Sequence, residues 1–239
     1  MAAKACSVLI TGANRGLGLE MVKQMVESPW PVRQLLACCR DLDGLRSHVF
    51  RELAVDWLTF SPLCLSDATD PCSIKESARW AVWWGRLGES REPEKHTYKY
   101  IVEDIENVFV FPKVYKQKEF LPYLQAAATA SGKPGMSCSK PAVVSISSTV
   151  GSIATIKEMY SFFPIASAGL NMLTLCATEE FRKDEILFAV LHPGWVRTDM
   201  GGEGVSLTES VEGLLCMMDS LTEKQTGAFL DHEGKVMPW

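Results

Sequence analysis

The chain has 239 residues, of which 47% are hydrophobic, and carries a formal net charge of −5; it is long enough for one domain with a substantial core. No apolar run approaches the ~18 residues needed to cross a bilayer, so we predict no membrane partner. The chain also has no cluster of basic residues that could bind nucleic-acid phosphates, so we predict no nucleic-acid partner. The eight cysteines show no zinc-ligand spacing, so we predict no metal site.

The first residues run directly into a strand-like stretch and lack the apolar core and cleavage site of a secretory signal. We therefore predict a cytoplasmic location, in which the thiols stay reduced.

Strand-like and helix-like stretches alternate along the chain, which predicts an α/β fold with a doubly wound, mostly parallel sheet and helices on both faces. Pro62 begins the third strand-like run, and proline is tolerated there only at a sheet edge or a strand start. Ser206 and Glu209 form a capping-box pattern that predicts a helix start. The predicted strands are 6–10, 35–39, 63–65 and 186–192; the predicted helices begin near 17 and 73 and cover 43–53, 119–130 and 165–181.

A glycine-rich segment joins the first predicted strand to the first predicted helix: residues 11–18 read Thr-Gly-Ala-Asn-Arg-Gly-Leu-Gly. Such a junction can bind phosphate, because backbone N–H groups and the helix N-terminus both attract anions. Gly12 permits the tight turn, while Gly16 and Gly18 allow close approach of backbone and ligand. The spacing of these glycines departs from the general dinucleotide fingerprint, so the prediction depends on the flanking strand and helix.

This loop resembles the cofactor loop of the short-chain dehydrogenase/reductase family, and three later segments resemble the same family. Residues 141–148 are similar to the strand that ends in the catalytic serine, residues 192–198 to the loop that holds the nicotinamide, and residues 226–231 to the last strand. The Gly-Leu-Gly-Leu-Glu and His-Pro-Gly-Trp-Val segments are most similar to the C-factor and sniffer-like carbonyl reductases. The resemblance implies one Rossmann-like dinucleotide-binding domain over 1–239, with 76–118 as a divergent segment.

The resemblance also implies a nicotinamide cofactor. Arg40 ends the second strand and Arg15 lies in the glycine loop, and guanidinium groups suit the 2′-phosphate of NADP. We therefore predict NADP(H) over NAD(H), although Asp41 could repel that phosphate. Asp67 matches the family position near the adenine ring, or caps a turn. The implied cofactor-binding residues are Gly12, Asn14, Arg15, Gly16, Leu17, Gly18, Arg40, Asp67, Pro193, Gly194, Val196 and Thr198.

The family's catalytic Tyr-x-x-x-Lys is absent, because none of the five tyrosines is followed four residues later by lysine. Alignment of residues 168–172 with the family helix puts Phe163 at the tyrosine position and Ser167 at the lysine position. Phenylalanine has no proton to transfer and serine carries no charge. Ser148 remains at the position of the catalytic serine.

Segment 76–118 lacks a recognisable fourth strand, and Phe109 stands where the family's relay asparagine is expected. Either this segment packs in a divergent way, or it carries a splice or gene-model alteration.

Three functions stay open. The chain is a nucleotide-binding pseudoenzyme, an active NADPH-dependent carbonyl reductase that uses Ser148 and a substitute acid, or a non-functional variant. An active protein would act on a small-molecule carbonyl substrate. A homodimer is possible through helix 165–181, where Leu170, Leu173 and Cys176 are apolar.

Overall fold

In the computed structural model, residues 6–27, 32–39, 60–64, 72–73, 75–76, 98–103, 110–132, 134–137, 140–155, 163–197 and 204–239 are described. The predicted helix at 43–53 lies outside these ranges. Three predicted cofactor residues also lie outside them, namely Arg40, Asp67 and Thr198.

The described strands form one parallel sheet. They are β1 (Cys6–Thr11), β2 (Val32–Cys39), β3 (Phe60–Cys64), β4 (Tyr98–Glu103), β5 (Ala142–Ile146), β6 (Leu187–His192) and β7 (Phe229–Asp231). Their order across the sheet is β3-β2-β1-β4-β5-β6-β7, and each neighbouring pair is parallel. This order confirms the predicted doubly wound fold.

Four longer helices cover the two faces of this sheet: α1 (Gly16–Glu27), α2 (Val110–Ser131), α3 (Phe163–Glu180) and α4 (Leu207–Ser220). Helices α1 and α4 contact each other and share a buried apolar cluster with Val8 and Ile10. Helices α2 and α3 also contact each other, and residues of both pack in a second cluster with Leu9. Alternate residues of β1 thus supply the two cores, as the two-residue period of a strand requires.

Strand β4 lies within 76–118, where the sequence indicates no fourth strand. It pairs with β1 on one side and β5 on the other, at the centre of the sheet. Its sequence, Tyr-Lys-Tyr-Ile-Val-Glu, is short, contains two charged residues and follows a charged stretch, which hides its four strand-forming residues. Hydrogen bonds from two neighbouring strands complete this strand.

Helix α2 begins at Val110, nine residues before its predicted start. Pro112 lies in the first turn, where the missing N–H would have no intrahelical partner in any case. Pro62 is not at the start of its strand as predicted, since β3 begins two residues earlier, at Phe60. Its predicted edge position is confirmed, because β3 is at the edge of the described sheet, where Pro62 pairs with Ala37.

One of the two hydrogen bonds of the predicted capping box is present at the start of α4, namely the one accepted by the N-cap side chain. The Ser206 hydroxyl accepts a hydrogen bond from the Glu209 N–H at 3.2 Å. None of the helices among the described residues is both long and apolar enough to cross a lipid bilayer.

Candidate functional site

The described segments that carry predicted site residues follow the carboxyl ends of three strands. Strands β1, β5 and β6 are parallel, so their carboxyl ends at Thr11, Ile146 and His192 point to the same edge. The strand order reverses between β1 and β4, which is where open α/β sheets form their ligand crevice.

The glycine turn after β1 has the backbone that its sequence requires. Gly12 has φ 70° and Gly16 has φ 50°, both in the left-handed region that favours glycine. The Ala13 N–H donates to the Cys38 carbonyl at 3.0 Å, which ties the turn to the end of β2. Helix α1 starts at Gly16, so its N-terminus opens directly onto this edge.

Gly16 and Gly18 have different roles in this turn. A Cβ on Gly16 would meet nothing within 4 Å, whereas a Cβ on Gly18 would lie 2.4 Å from the Gly12 carbonyl oxygen. Gly18 is therefore needed for the close packing of the helix start against the turn, and its predicted contact with the cofactor stays a prediction. The other predicted residues of the loop, Asn14, Arg15 and Leu17, are partly buried there.

Ser148 follows β5 and caps a short 3₁₀ turn at Thr149–Gly151. Its Oγ accepts from the Val150 N–H at 3.4 Å, a long and weak hydrogen bond, and the side chain is only partly buried. The preceding Ser147 is fully buried, and its N–H donates to the Leu191 carbonyl at 2.8 Å. The turn is therefore anchored to β6 just before Ser148.

Helix α3 carries Phe163 and Ser167, the two residues that the sequence comparison aligns with the family's tyrosine and lysine. Phe163 is its first residue, and Ser167 lies one turn later and is fully buried. A Cβ on Gly151 would lie 2.7 Å from the Ser167 Cβ. The segment 147–151, here called the serine turn, therefore packs closely against α3 at Gly151. Ser148 and Ser167 thus lie in two segments that contact each other.

The Pro193–Gly194 loop after β6 is supported by contacts with two residues that the sequence alone does not identify. Ser210 on α4 donates its hydroxyl hydrogen bond to the Pro193 carbonyl at 2.6 Å. The His232 ring lies under Gly194, which has φ 83° and whose Cβ would come within 2.9 Å of His232 Cε1. Both partners are distant in sequence, so no local pattern marks them.

His192 lies immediately before this loop and is 8% exposed. Burial, together with the nearby His232, lowers the pKa of His192 to about 4, although Asp231 and the Ser147 backbone oppose the shift. Among the described residues, the Nδ1 atoms of both histidines are buried without a hydrogen-bond partner. His192 is thus neutral at physiological pH.

The far side of the loop is closed by a short backbone pairing. The Val205 N–H donates to the Trp195 carbonyl at 2.8 Å, and the Arg197 N–H donates to the Val205 carbonyl at 3.0 Å. Val196, a predicted cofactor residue, is buried between these bonds at 7% exposure.

The chain is similar over its whole length to known proteins. It is 33% identical to a short chain dehydrogenase of Penicillium aethiopicum, with 98% of this chain and 99% of that protein covered. It is 34% identical to the C-signal of Myxococcus xanthus, where the match covers 41% of this chain and 60% of that protein. No protein-family profile matches the chain.

Solved structures with this fold include two carbonyl reductases. The NADPH bound carbonyl reductase from chicken fatty liver has a TM-score of 0.86 and 34% identity, with 99% of this chain and 100% of that chain covered. The carbonyl reductase Sniffer of D. melanogaster has a TM-score of 0.86 and 24% identity, with coverage of 98% and 100%.

Proposed function

The chain belongs to the short-chain dehydrogenase/reductase family, and we propose that it binds NADP(H) but reduces carbonyl compounds weakly or not at all. The proposal treats residues 1–239 as one domain, with 76–118 as its divergent segment. A cytoplasmic location stays a prediction from the sequence.

The observation that carries the proposal is the geometry of the glycine turn. Gly12 and Gly16 adopt positive φ, and Gly18 lets α1 begin against the turn backbone. The space beside Gly16 is open and lies at a helix N-terminus, where a negative charge such as a pyrophosphate group is stabilised. Residues 12–18 would hold the cofactor's phosphates, and the Pro193–Gly194 loop would hold its nicotinamide end.

We propose NADP(H) rather than NAD(H) for two reasons: two arginines near the predicted site, and the NADPH bound to a similar protein. Arg15 lies in the glycine turn, Arg40 follows β2, and both can pair with a 2′-phosphate. The carbonyl reductase from chicken fatty liver, at 34% identity, is NADPH bound. We extend NADPH binding to this chain.

The weakened chemistry follows from Phe163 and Ser167. When bound, the cofactor would supply a hydride, and the chain's residues would have to position the carbonyl and supply a proton. Ser148 can donate a hydrogen bond to a carbonyl oxygen, but Phe163 has no proton to transfer. Loss of a general acid typically lowers a rate by about 10²–10⁴-fold.

Ser167 has a separate consequence for cofactor affinity. A lysine at this position would donate a charged hydrogen bond to the cofactor's ribose, a contact worth about 1.5–3 kcal/mol. Ser167 is uncharged and fully buried beside Gly151. We therefore expect NADPH to bind more weakly here than in relatives with the lysine.

We also propose a homodimer in which α3 of each copy forms the contact, but the contact residues differ in part from those suggested by the sequence. Leu170 is fully buried within its own chain, so it cannot contact a second copy. Ile165, Met172 and Cys176 are exposed on this helix and are the candidates for such a contact.

The test compares four forms of the protein: unaltered, Phe163→Tyr, Ser167→Lys and the double variant. Each is titrated with NADPH by fluorescence and then assayed for aldehyde reduction. We expect the unaltered chain to bind NADPH with little or no turnover, and the double variant to gain turnover by about tenfold or more.

Three outcomes would contradict the proposal. Efficient turnover by the unaltered chain would favour an active reductase with Ser148 and a substitute acid. Failure to bind NADPH at millimolar concentration would exclude cofactor binding. The absence of a cooperative thermal transition would favour a non-functional variant.

A further inference from the structure

Asn171, on the buried face of α3, connects the two ends of the serine turn. Its Oδ1 accepts the Ser147 hydroxyl at 2.7 Å, and its Nδ2 donates to the Gly151 carbonyl at 3.2 Å. A carbonyl oxygen only accepts hydrogen bonds, so the Gly151 contact fixes the orientation of the amide. Ser148 lies between the two residues that Asn171 binds.

The same turn is pressed against α3 at a second point. Gly151 is so close to α3 that a Cβ on it would lie 2.7 Å from the Ser167 Cβ and 2.9 Å from the Ser167 carbonyl carbon. One contact is polar and the other is steric, and both join the turn to the helix that carries positions 163 and 167. The distance from Ser148 to those positions is therefore set by the helix–turn junction.

We propose that Asn171 is a positioning residue, which holds Ser148 at a fixed distance from positions 163 and 167 by tying Ser147 and Gly151 to α3. The role of Ser148 rests on the proposed function, whereas the two hydrogen bonds of Asn171 to the turn do not depend on it. Asn171 is 3% exposed, so water does not replace its hydrogen bonds. Without the amide, the turn loses the two hydrogen bonds that Asn171 makes to Ser147 and Gly151.

Thr174, one helical turn after Asn171, is the matched control. It is also fully buried, and its Oγ1 lies 3.1 Å from Ser145 Oγ. Ser145 belongs to β5 and not to the serine turn, so Thr174 joins α3 to the sheet alone. A variant at Thr174 perturbs the same buried polar interface without touching the turn.

The first experiment uses the Phe163→Tyr, Ser167→Lys chain as background, with Asn171→Asp or Thr174→Val added. Asn171→Asp keeps the acceptor for Ser147 but places a second acceptor against the Gly151 carbonyl. We expect it to lower kcat by about tenfold or more while the Kd for NADPH stays within about twofold. Thr174→Val should lower the Tm with kcat within about twofold. Equal kcat losses in both variants, or none in Asn171→Asp, would overturn the proposal.

The second experiment needs no turnover and uses the otherwise unaltered chain. The Gly151 and Ser152 amides donate to the Ser148 and Thr149 carbonyls within the turn, at 2.9 and 3.0 Å. We expect Asn171→Asp to speed hydrogen exchange of the 148–155 peptide by about tenfold, and Thr174→Val to leave it unchanged. Unchanged exchange in Asn171→Asp would overturn the positioning role.

The two experiments separate the two claims. If the double-variant background shows no turnover, the part of the proposed function that attributes the weak chemistry to Phe163 and Ser167 fails, and the exchange measurement still decides whether Asn171 holds the turn.

Discussion

Gly18 lies against Gly12 so closely that a Cβ on Gly18 would be 2.4 Å from the Gly12 carbonyl oxygen. The neighbouring atoms belong to the backbone, so no side-chain rotation could relieve the contact. The start of α1 and the turn before it are therefore a single packed unit. If this unit holds the cofactor's phosphates, its geometry should control cofactor affinity.

The first prediction concerns Gly18→Ala. The new methyl group must push α1 away from the turn, which we expect to lower the free energy of unfolding by about 1–3 kcal/mol. We also expect NADPH affinity to fall by about tenfold or more, because the N–H groups at the helix start are displaced. Denaturant unfolding and NADPH titration measure the two effects.

Gly132→Ala is the control for this variant. Gly132 has φ 60° with nothing within 4 Å of its Cβ position, so alanine there adds backbone strain without a clash, at the end of α2. It should cost about 1–2 kcal/mol and leave NADPH binding unchanged. Normal NADPH affinity in Gly18→Ala would contradict the role of the turn.

The second prediction concerns pH. His192 has a pKa of about 4 in the folded chain against an ordinary value of 6.5, so folding favours its neutral form. Its contribution is therefore fully present above pH 6.5 and is lost as pH falls from 6.5 to about 4. Over that range the difference amounts to about 3 kcal/mol at 1.36 kcal/mol per pKa unit. Urea unfolding across this range measures it.

His192→Gln removes the titrating ring and should flatten that part of the pH profile. His232→Gln should change it less, because burial is the larger cause of the His192 shift and His232 is the second. A wild-type stability that stays constant between about pH 6.5 and about pH 4 would refute this account of His192.

The third prediction concerns the support of the Pro193–Gly194 loop. Ser210→Ala removes the 2.6 Å hydrogen bond to the partly buried Pro193 carbonyl, and we expect a loss of about 1 kcal/mol in unfolding free energy. NADPH affinity should fall several-fold, because the loop is less well held. Thermal melts and NADPH titration report both changes.

Ser220→Ala tests whether any serine on α4 would behave in this way. The Ser220 hydroxyl donates to the Met217 carbonyl at 2.9 Å on the exposed end of the same helix. This variant should change neither stability nor NADPH affinity. If the two serine variants are indistinguishable, Ser210 does not support the loop.

The fourth prediction concerns Trp239, whose ring stacks on Phe229 with a centroid distance of 5.4 Å. The Trp239 carbonyl oxygen also accepts from the Ala154 N–H at 2.9 Å, which ties residues 232–239 to the segment after the serine turn. Trp239→Ala should lower the free energy of unfolding by about 2 kcal/mol, less than for a fully buried tryptophan, because the ring is only partly covered. Trp195→Ala, at a residue 59% exposed, should cost much less in the same denaturant assay.

Local sequence determined the elements whose signals are short and strong. The apolar residues 8–10 and 187–191 are buried in strands, because strands covered on both faces need apolar residues at successive positions. The glycines of 11–18 and the Ser206 cap act within a few residues of backbone, so their patterns were sufficient. These short patterns also made the resemblance to one protein family visible in the sequence, because each lies within a few consecutive residues.

The tertiary structure decided what depends on distant partners. Strand β4 is short and follows a charged stretch, and its place at the centre of the sheet is set by pairing with β1 and β5, which lie far from it along the chain. Ser210, His232 and Asn171 support the two loops from elements far along the chain, and no spacing in the sequence connects them. Sequence fixes which groups a chain possesses, whereas packing alone fixes which of them come within hydrogen-bonding or van der Waals distance.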